Sequence, residues 1–397
     1  MRCLSERVNK GGVKIHHPLS VFLKTFPFIS FPYPYSMSSP VSLLYAVLCN
    51  EFWGTPLPFR SLSHAQFQQL RQLALQQTVE GFLAGVLIRE RIQLEQPDAL
   101  LIFSRARMIE QLNYQIDQVL CQLNQLLTQE NITHLIFKGQ TLAQLYPHPA
   151  ERTPGDIDFY CVPGHFRKAV KLLKECWQAN IHVGESSQHY EFSYRQIPLE
   201  MHFRMIKFNS SYIQRYWDQL LSSTPYSAIN IGSTSVPILN PTLNVLYTFL
   251  HLYHHLVELG VGLRQFCDVL QLLHHYRTEI DRPLLVVHLD KMGFRHAFCA
   301  IGYILVHRLG LPEEEFPLPL SPHYEKYERR ILDIVFTGGN FGKYISTTAV
   351  RSGWRYNIEA TARKLKHYIL FRQLSPREIL FTLLKELPQK ILDGIKR

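Results

Sequence analysis

A chain of 397 residues with 46% hydrophobic and 19% charged residues can bury two or three cores, and that composition excludes a disordered protein. The formal charge of +10 favours anionic partners such as nucleotides, nucleic acid or a membrane surface, without choosing among them. Seven scattered cysteines suit the reduced core thiols of a cytoplasmic protein better than a disulfide or zinc framework, and no run of eighteen apolar residues is present to span a membrane.

Residues 1–36 differ in character from the rest of the chain: Pro27, Pro32 and Pro34 block any helix, and no cleavable leader pattern is present. Met37 then opens a helical pattern, so the expectation is that translation starts there and that 1–36 is upstream sequence or a disordered tail. From Ser42 to Glu130 the periodicity is helical. Ser63 with Gln66 makes a capping box, followed by Phe67, Leu70, Leu73 and Ala74 at helical spacing. A longer helix, about Ala99 to Gln129, places Ile109, Leu112, Ile116, Val119, Leu120, Leu123 and Leu127 on one stripe.

Leu135–Val162 reads as a strand ending in Lys138-Gly139, a short helix, a loop, and a second strand carrying Asp156-Ile157-Asp158. Strand side chains alternate faces, so Asp156 and Asp158 project together. Paired carboxylates repel unless a cation lies between them, which suggests a divalent-metal site. The pair alone leaves a second reading open, a turn at Gly155-Asp156 with Asp158 at a solvated edge. A helix through His165–Ala179 follows, then short strands at Ile181–Val183, Tyr190–Arg195 and Ile197–Arg204. In the last of these Glu200 and His202 share one face and Leu199, Met201 and Phe203 the other. If it pairs beside Asp156–Phe159, Glu200 becomes a third carboxylate of the same site.

Beyond Asn240 helices are expected again, including Leu284–Met292, His296–Leu309, Tyr324–Val335, Ile358–Phe371 and Pro376–Ile395, the last opened by a capping box of Ser375 and Glu378. His251 and His255 form an i, i+4 pair beside His254, but no carboxylate is placed to complete a metal site there. Arg264 and Asp268 are also i, i+4: either a surface salt bridge or, for Arg264 and the histidines, part of a cleft lining. Arg351, Arg355, Arg363, Lys364 and Lys366 read as the solvated face of a packed helix.

The set Lys138-Gly139, Arg152…Gly155-Asp156-Ile157-Asp158 and Leu199-Glu200-Met201-His202 resembles the nucleotidyltransferase superfamily, with the DNA polymerase beta-like fold. More closely it resembles the bacterial uncharacterised nucleotidyltransferase family, to which Gly262-Leu263-Arg264-Gln265-Phe266-Cys267-Asp268 and Gly338-Gly339-Asn340-Phe341-Gly342 add further likeness. The resemblance covers about residues 40–345. It implies an α+β protein: a small mixed-sheet core at 131–206, a helical segment at 37–130 before it and a mainly helical domain at 207–397 after it.

It also implies two Mg2+ ions on Asp156, Asp158 and Glu200. An NTP would be the substrate, with NMP transferred to an acceptor hydroxyl and pyrophosphate released. Lys138 and Arg152 are then candidates for triphosphate contact, with Gly139 allowing close backbone approach and the next helix N-terminus favouring an anion. The superfamily carries Gly-Ser at this turn. Here Gly139-Gln140-Thr141 stands instead, with Thr141 able to present a hydroxyl. The acceptor is expected to be a small molecule, glycan or protein, since no RNA-binding pattern supports nucleic acid. The alternative is a catalytically weak nucleotide-binding or partner-binding protein that keeps the fold.

Overall fold

Four helices open the described chain, the first two with side-chain caps. In the computed structural model, residues 39–181, 188–340 and 354–386 are described. The expectations for residues 1–36, most of Ile181–Val183, Phe341-Gly342, Arg351, the side chain of Arg355 and the helix beyond Glu386 lie outside them. Helix α1 (Pro40–Trp53) starts where the Ser39 side chain accepts from the Ser42 amide. Helix α2 (His64–Gln76) carries the expected reciprocal box of Ser63 and Gln66. Helix α3 (Glu80–Arg89) leads to α4 (Gln96–Gln129), a single helix of 34 residues.

Most of the apolar stripe on α4 is buried, but Leu112 is 37% exposed and Asn113 is turned inward instead. The reason is local. The Asn113 side-chain amide donates to the Ala150 and Arg152 carbonyls at 2.8 and 3.0 Å, fastening the loop that approaches Asp156. Gly81 of α3 packs against the same loop, and a Cβ there would lie 2.0 Å from the Glu151 carbonyl oxygen.

The next residues build a four-stranded mixed sheet. Its strands are β1 (His134–Phe137), β2 (Ile157–Cys161), β3 (His189–Tyr194) and β4 (Ile197–His202), in the order β1-β2-β4-β3. Strand β2 runs antiparallel to β1 and parallel to β4, and β3 closes the edge antiparallel to β4. Short α5 (Gly139–Ala143) and α6 (Pro163–Trp177) connect the strands. Alternation sorts the faces. Ile157, Phe159, Leu199 and Met201 enter an apolar cluster with Ile116, Leu120 and Leu123 of α4 and Phe166 and Leu173 of α6. Asp158, Glu200 and His202 are left on the opposite face.

Helix α7 (Ser211–Ser223) follows, and then a hairpin for which no element is expected: β5 (Tyr226–Ile231) and β6 (Thr234–Leu239). Its two-residue turn uses Gly232 at φ +58°, so Gly-Ser between alternating segments was the available signal. Helices α8 (Pro241–Glu258), α9 (Leu263–His275), α10 (Arg282–Met292), α11 (Arg295–Leu309), α12 (Glu325–Gly338), α13 (Trp354–Phe371) and α14 (Pro376–Phe381) complete the fold. They pack with α1 to α3 around a second, larger apolar cluster.

The capping box expected at Ser375 does not form. Ser375 Oγ bonds the Tyr253 hydroxyl at 2.8 Å, and Glu378 accepts instead from the amides of Asn209 and Ser210. Tertiary partners here displace the local cap. Among the described residues, no helix is long and apolar enough to cross a membrane.

Candidate active site

The charged face of the sheet looks onto α8 and α9 across a cavity of about 240 Å³. Parallel pairing of β2 with β4 sets Asp158 directly opposite Glu200, and Asp156 sits one residue before β2 begins. Ligand oxygens of Asp156, Asp158 and Glu200 all lie within 4.8 Å of one another. The sheet register thus brings together three acids that the sequence spreads over 45 positions, counted inclusively from 156 to 200.

Two side chains meet this charge, the Lys138 ammonium and the His202 imidazole. Lys138 Nζ and His202 Nε2 both lie 3.0 Å from Asp158 Oδ1, and His202 Nε2 is 3.2 Å from Glu200 Oε2. Burial alone would raise the Asp158 carboxyl, but Lys138 and then His202 outweigh it and hold Asp158 well below the usual carboxylate range. Glu200 is likewise lowered: its burial is outweighed chiefly by the His202 hydrogen bond. Asp156 goes the other way, pushed up to about 6 by burial and by the charges of Asp158 and Glu200. A divalent cation would relieve a carboxylate penalised by burial and by its neighbours' charge, and an all-oxygen trio suits a hard ion such as Mg2+.

Lys138 reaches Asp158 from a strained backbone. Its φ of +56° and ψ of −150° belong to a region that side chains rarely adopt, at a cost of about 1–3 kcal/mol. Gly139 follows at φ +42°, where a Cβ would stand 3.2 Å from the Asp156 carbonyl oxygen. The β1–α5 kink and the acid loop are therefore fitted to each other.

Several expected roles change. Helix α5 is only five residues long, so its N-terminus lacks the aligned dipoles that would favour an anion. Thr141 is 2% exposed and its hydroxyl donates to the Lys138 carbonyl at 2.7 Å, so it does not line the cavity. Gln140 is spent on Asp117, 2.7 Å away.

Of the two readings for Arg264 and Asp268, the surface pair does not form and the cleft lining by Arg264 does. Asp268 is 5% exposed and takes both Nε and Nη2 of Arg152 at 2.8 Å, with the Tyr146 hydroxyl at 2.6 Å. Arg152 borders the cavity, and its Nη1 has no hydrogen-bond partner. Arg264 also lines the cavity. Its Nη1 donates to the Thr153 carbonyl at 2.8 Å, while Nε has no hydrogen-bond partner.

His251, His254 and His255 face the same space from α8. Burial, then nearby Lys138, holds His251 well below its ordinary value, and burial with His254 brings His255 down to about 3. Neither belongs to a group of metal-competent side chains among the described residues. His254 finds a carboxylate partner, Glu258, at 3.2 Å. The sequence pattern assigned no role to His202, nor to Tyr247, which lies behind Phe137 and outside the cavity lining. For His202 the signal was present, because it lies two residues after Glu200 and so on the same face. Tyr247 is fully buried edge-on to Phe137, and nothing in its helix pattern marks it.

The family model described as uncharacterised nucleotidyltransferase matches residues 63–310 of this chain. No curated protein matches it. Among solved structures, an antigenic nucleotidyltransferase-like protein from Paracoccidioides brasiliensis is similar at 16% identity, over 49% of this chain and 92% of its own, with a TM-score of 0.34.

Proposed function

The chain belongs to the uncharacterised nucleotidyltransferase family, and on that premise we propose that it transfers the NMP group of an NTP to an acceptor hydroxyl in a Mg2+-dependent reaction. The bond from the acceptor oxygen to the α-phosphorus forms as the bond to pyrophosphate breaks. The observation that carries this reading is the register of Asp158 on Glu200, with Asp156 beside them, at the floor of a cavity walled by cations. Asp156, Asp158 and Glu200 would hold the ions, and Mg2+ there supplies neutralisation of charge on the attacking and leaving oxygens. Lys138 would exchange its bond to Asp158 for a phosphate oxygen. Arg152 and Arg264, which line the cavity, would face the triphosphate, a role that suits guanidinium. The acceptor would be a small molecule, glycan or protein.

One observation favours a second reading, a nucleotide-binding protein of weak activity. The turn after Gly139 offers no side-chain hydroxyl to a phosphate, since Thr141 is buried on its own backbone. Pyrophosphate release measured with each NTP and Mg2+, beside calorimetric NTP affinity, separates the two. Transfer predicts turnover that Asp156→Asn abolishes. Tight NTP binding without turnover on any acceptor would favour the binding protein.

A further inference from the structure

The face that carries the acid trio continues towards the sheet edge with different donors. Antiparallel pairing sets His189 of β3 opposite His202 of β4, and Glu191 opposite Glu200. His189 Nδ1 lies 3.8 Å from Glu200 Oε2, and His202 Nε2 lies 3.2 Å from that oxygen. One ligand atom each from His189, Glu200 and His202 falls within 4.8 Å of the others. Tetrahedral zinc with bonds of about 2.0–2.1 Å sets its ligands about 3.3 Å apart, so closing this trio needs only a small movement of His189.

The surroundings match what an imidazole ligand needs. His189 Nε2 lies 3.1 Å from a Glu191 carboxylate oxygen while its Nδ1 faces Glu200, in the manner of a carboxylate that orients a metal-bound histidine. His202 is 4% exposed, and its Nε2 is turned to the Asp158 and Glu200 carboxylates. A third group, Glu51, His148 and Glu151, differs because Arg89 already supplies its cation by pairing with both glutamates.

We propose that His189, Glu200 and His202 form a binding site for a nitrogen-preferring divalent transition ion of the Zn2+ class, with Glu191 orienting His189. Two imidazoles select against Mg2+, which prefers oxygen, and three protein ligands leave a position open to water or substrate. Glu200 belongs to both sets, so an ion here draws on a carboxylate of the Mg2+ trio. The inference does not depend on nucleotidyl transfer.

Cobalt reports it directly, because nitrogen-ligated Co2+ absorbs in the visible. The untagged full-length protein is titrated with Co2+, then with Zn2+. The expected result is a visible band saturating at one equivalent and displaced by Zn2+. His189→Ala, at the sheet edge and checked by thermal melt, should weaken Co2+ binding at least tenfold, and Glu191→Gln about tenfold. Asp156→Asn touches only the oxygen set and should keep the band. No band in the wild type, equal titrations of wild type and His189→Ala, or a band that only Asp156→Asn removes would each overturn the proposal. None of these outcomes bears on Mg2+-dependent turnover, which is measured separately.

Discussion

Replacing Asp156 by Asn should move stability and activity in opposite directions. Burial and the charges of Asp158 and Glu200 push the Asp156 carboxyl up to about 6 in the fold, against an ordinary 3.8. An acid raised on folding is favoured in its protonated form. The cost of its charge is therefore absent below about pH 4, grows between pH 4 and 6, and is complete above that. At about 1.36 kcal/mol per pH unit the shift corresponds to roughly 3 kcal/mol. Asp156 is only half-buried, so water screens part of this cost and the expected gain is about 1–2 kcal/mol.

Without metal at pH 7.5, Asp156→Asn should thus melt about 1–3 °C above wild type. At pH 4 the difference should vanish. Mg2+ should raise the wild-type midpoint by mass action and leave the variant nearly unmoved. Pyrophosphate release should be lost. An Asn variant less stable at pH 7.5, or one that Mg2+ stabilises as much as wild type, would refute a site built on like charges awaiting a cation.

Glu200→Gln should leave calorimetric NTP affinity within a few fold while single-turnover rate falls by orders of magnitude, because charge at the attacking oxygen develops in the transition state. Lys138→Ala removes the ammonium that pairs with buried Asp158 and should cost about 3–5 kcal/mol in urea unfolding, together with NTP affinity. Lys138→Gly should be about 1 kcal/mol less harmful, since glycine accepts the φ of +56° at that position. Asp268→Asn leaves the Arg152 guanidinium buried without its carboxylate. It should cost a similar 3–5 kcal/mol and weaken NTP binding while sparing Mg2+ stabilisation.

Local chemistry was legible because it depends on near neighbours in the chain. The Ser63–Gln66 box, the strand alternation that pairs Glu200 with His202, and the long stripe on α4 follow from backbone periodicity, and each stands in the structure. Failures occur where a distant residue competes for a local partner. Ser375 loses its cap to Tyr253, Asp268 takes Arg152 rather than Arg264, and Leu112 yields its inward place to Asn113, which must serve two loop carbonyls.

By itself the sequence singled out candidate residues: a D-x-D pair where a strand begins, an acid on a later strand, and a lysine before glycine. It did so because residue type and alternation are properties of a few consecutive positions. Only the tertiary structure decided that Asp158 faces Glu200, that Lys138 and His202 share one carboxylate oxygen, and that α9 delivers Arg264 to the opposite wall. Those are contacts between segments tens of residues apart. Sheet register and the burial of two apolar clusters set them, and neither is written in any single stretch of the chain.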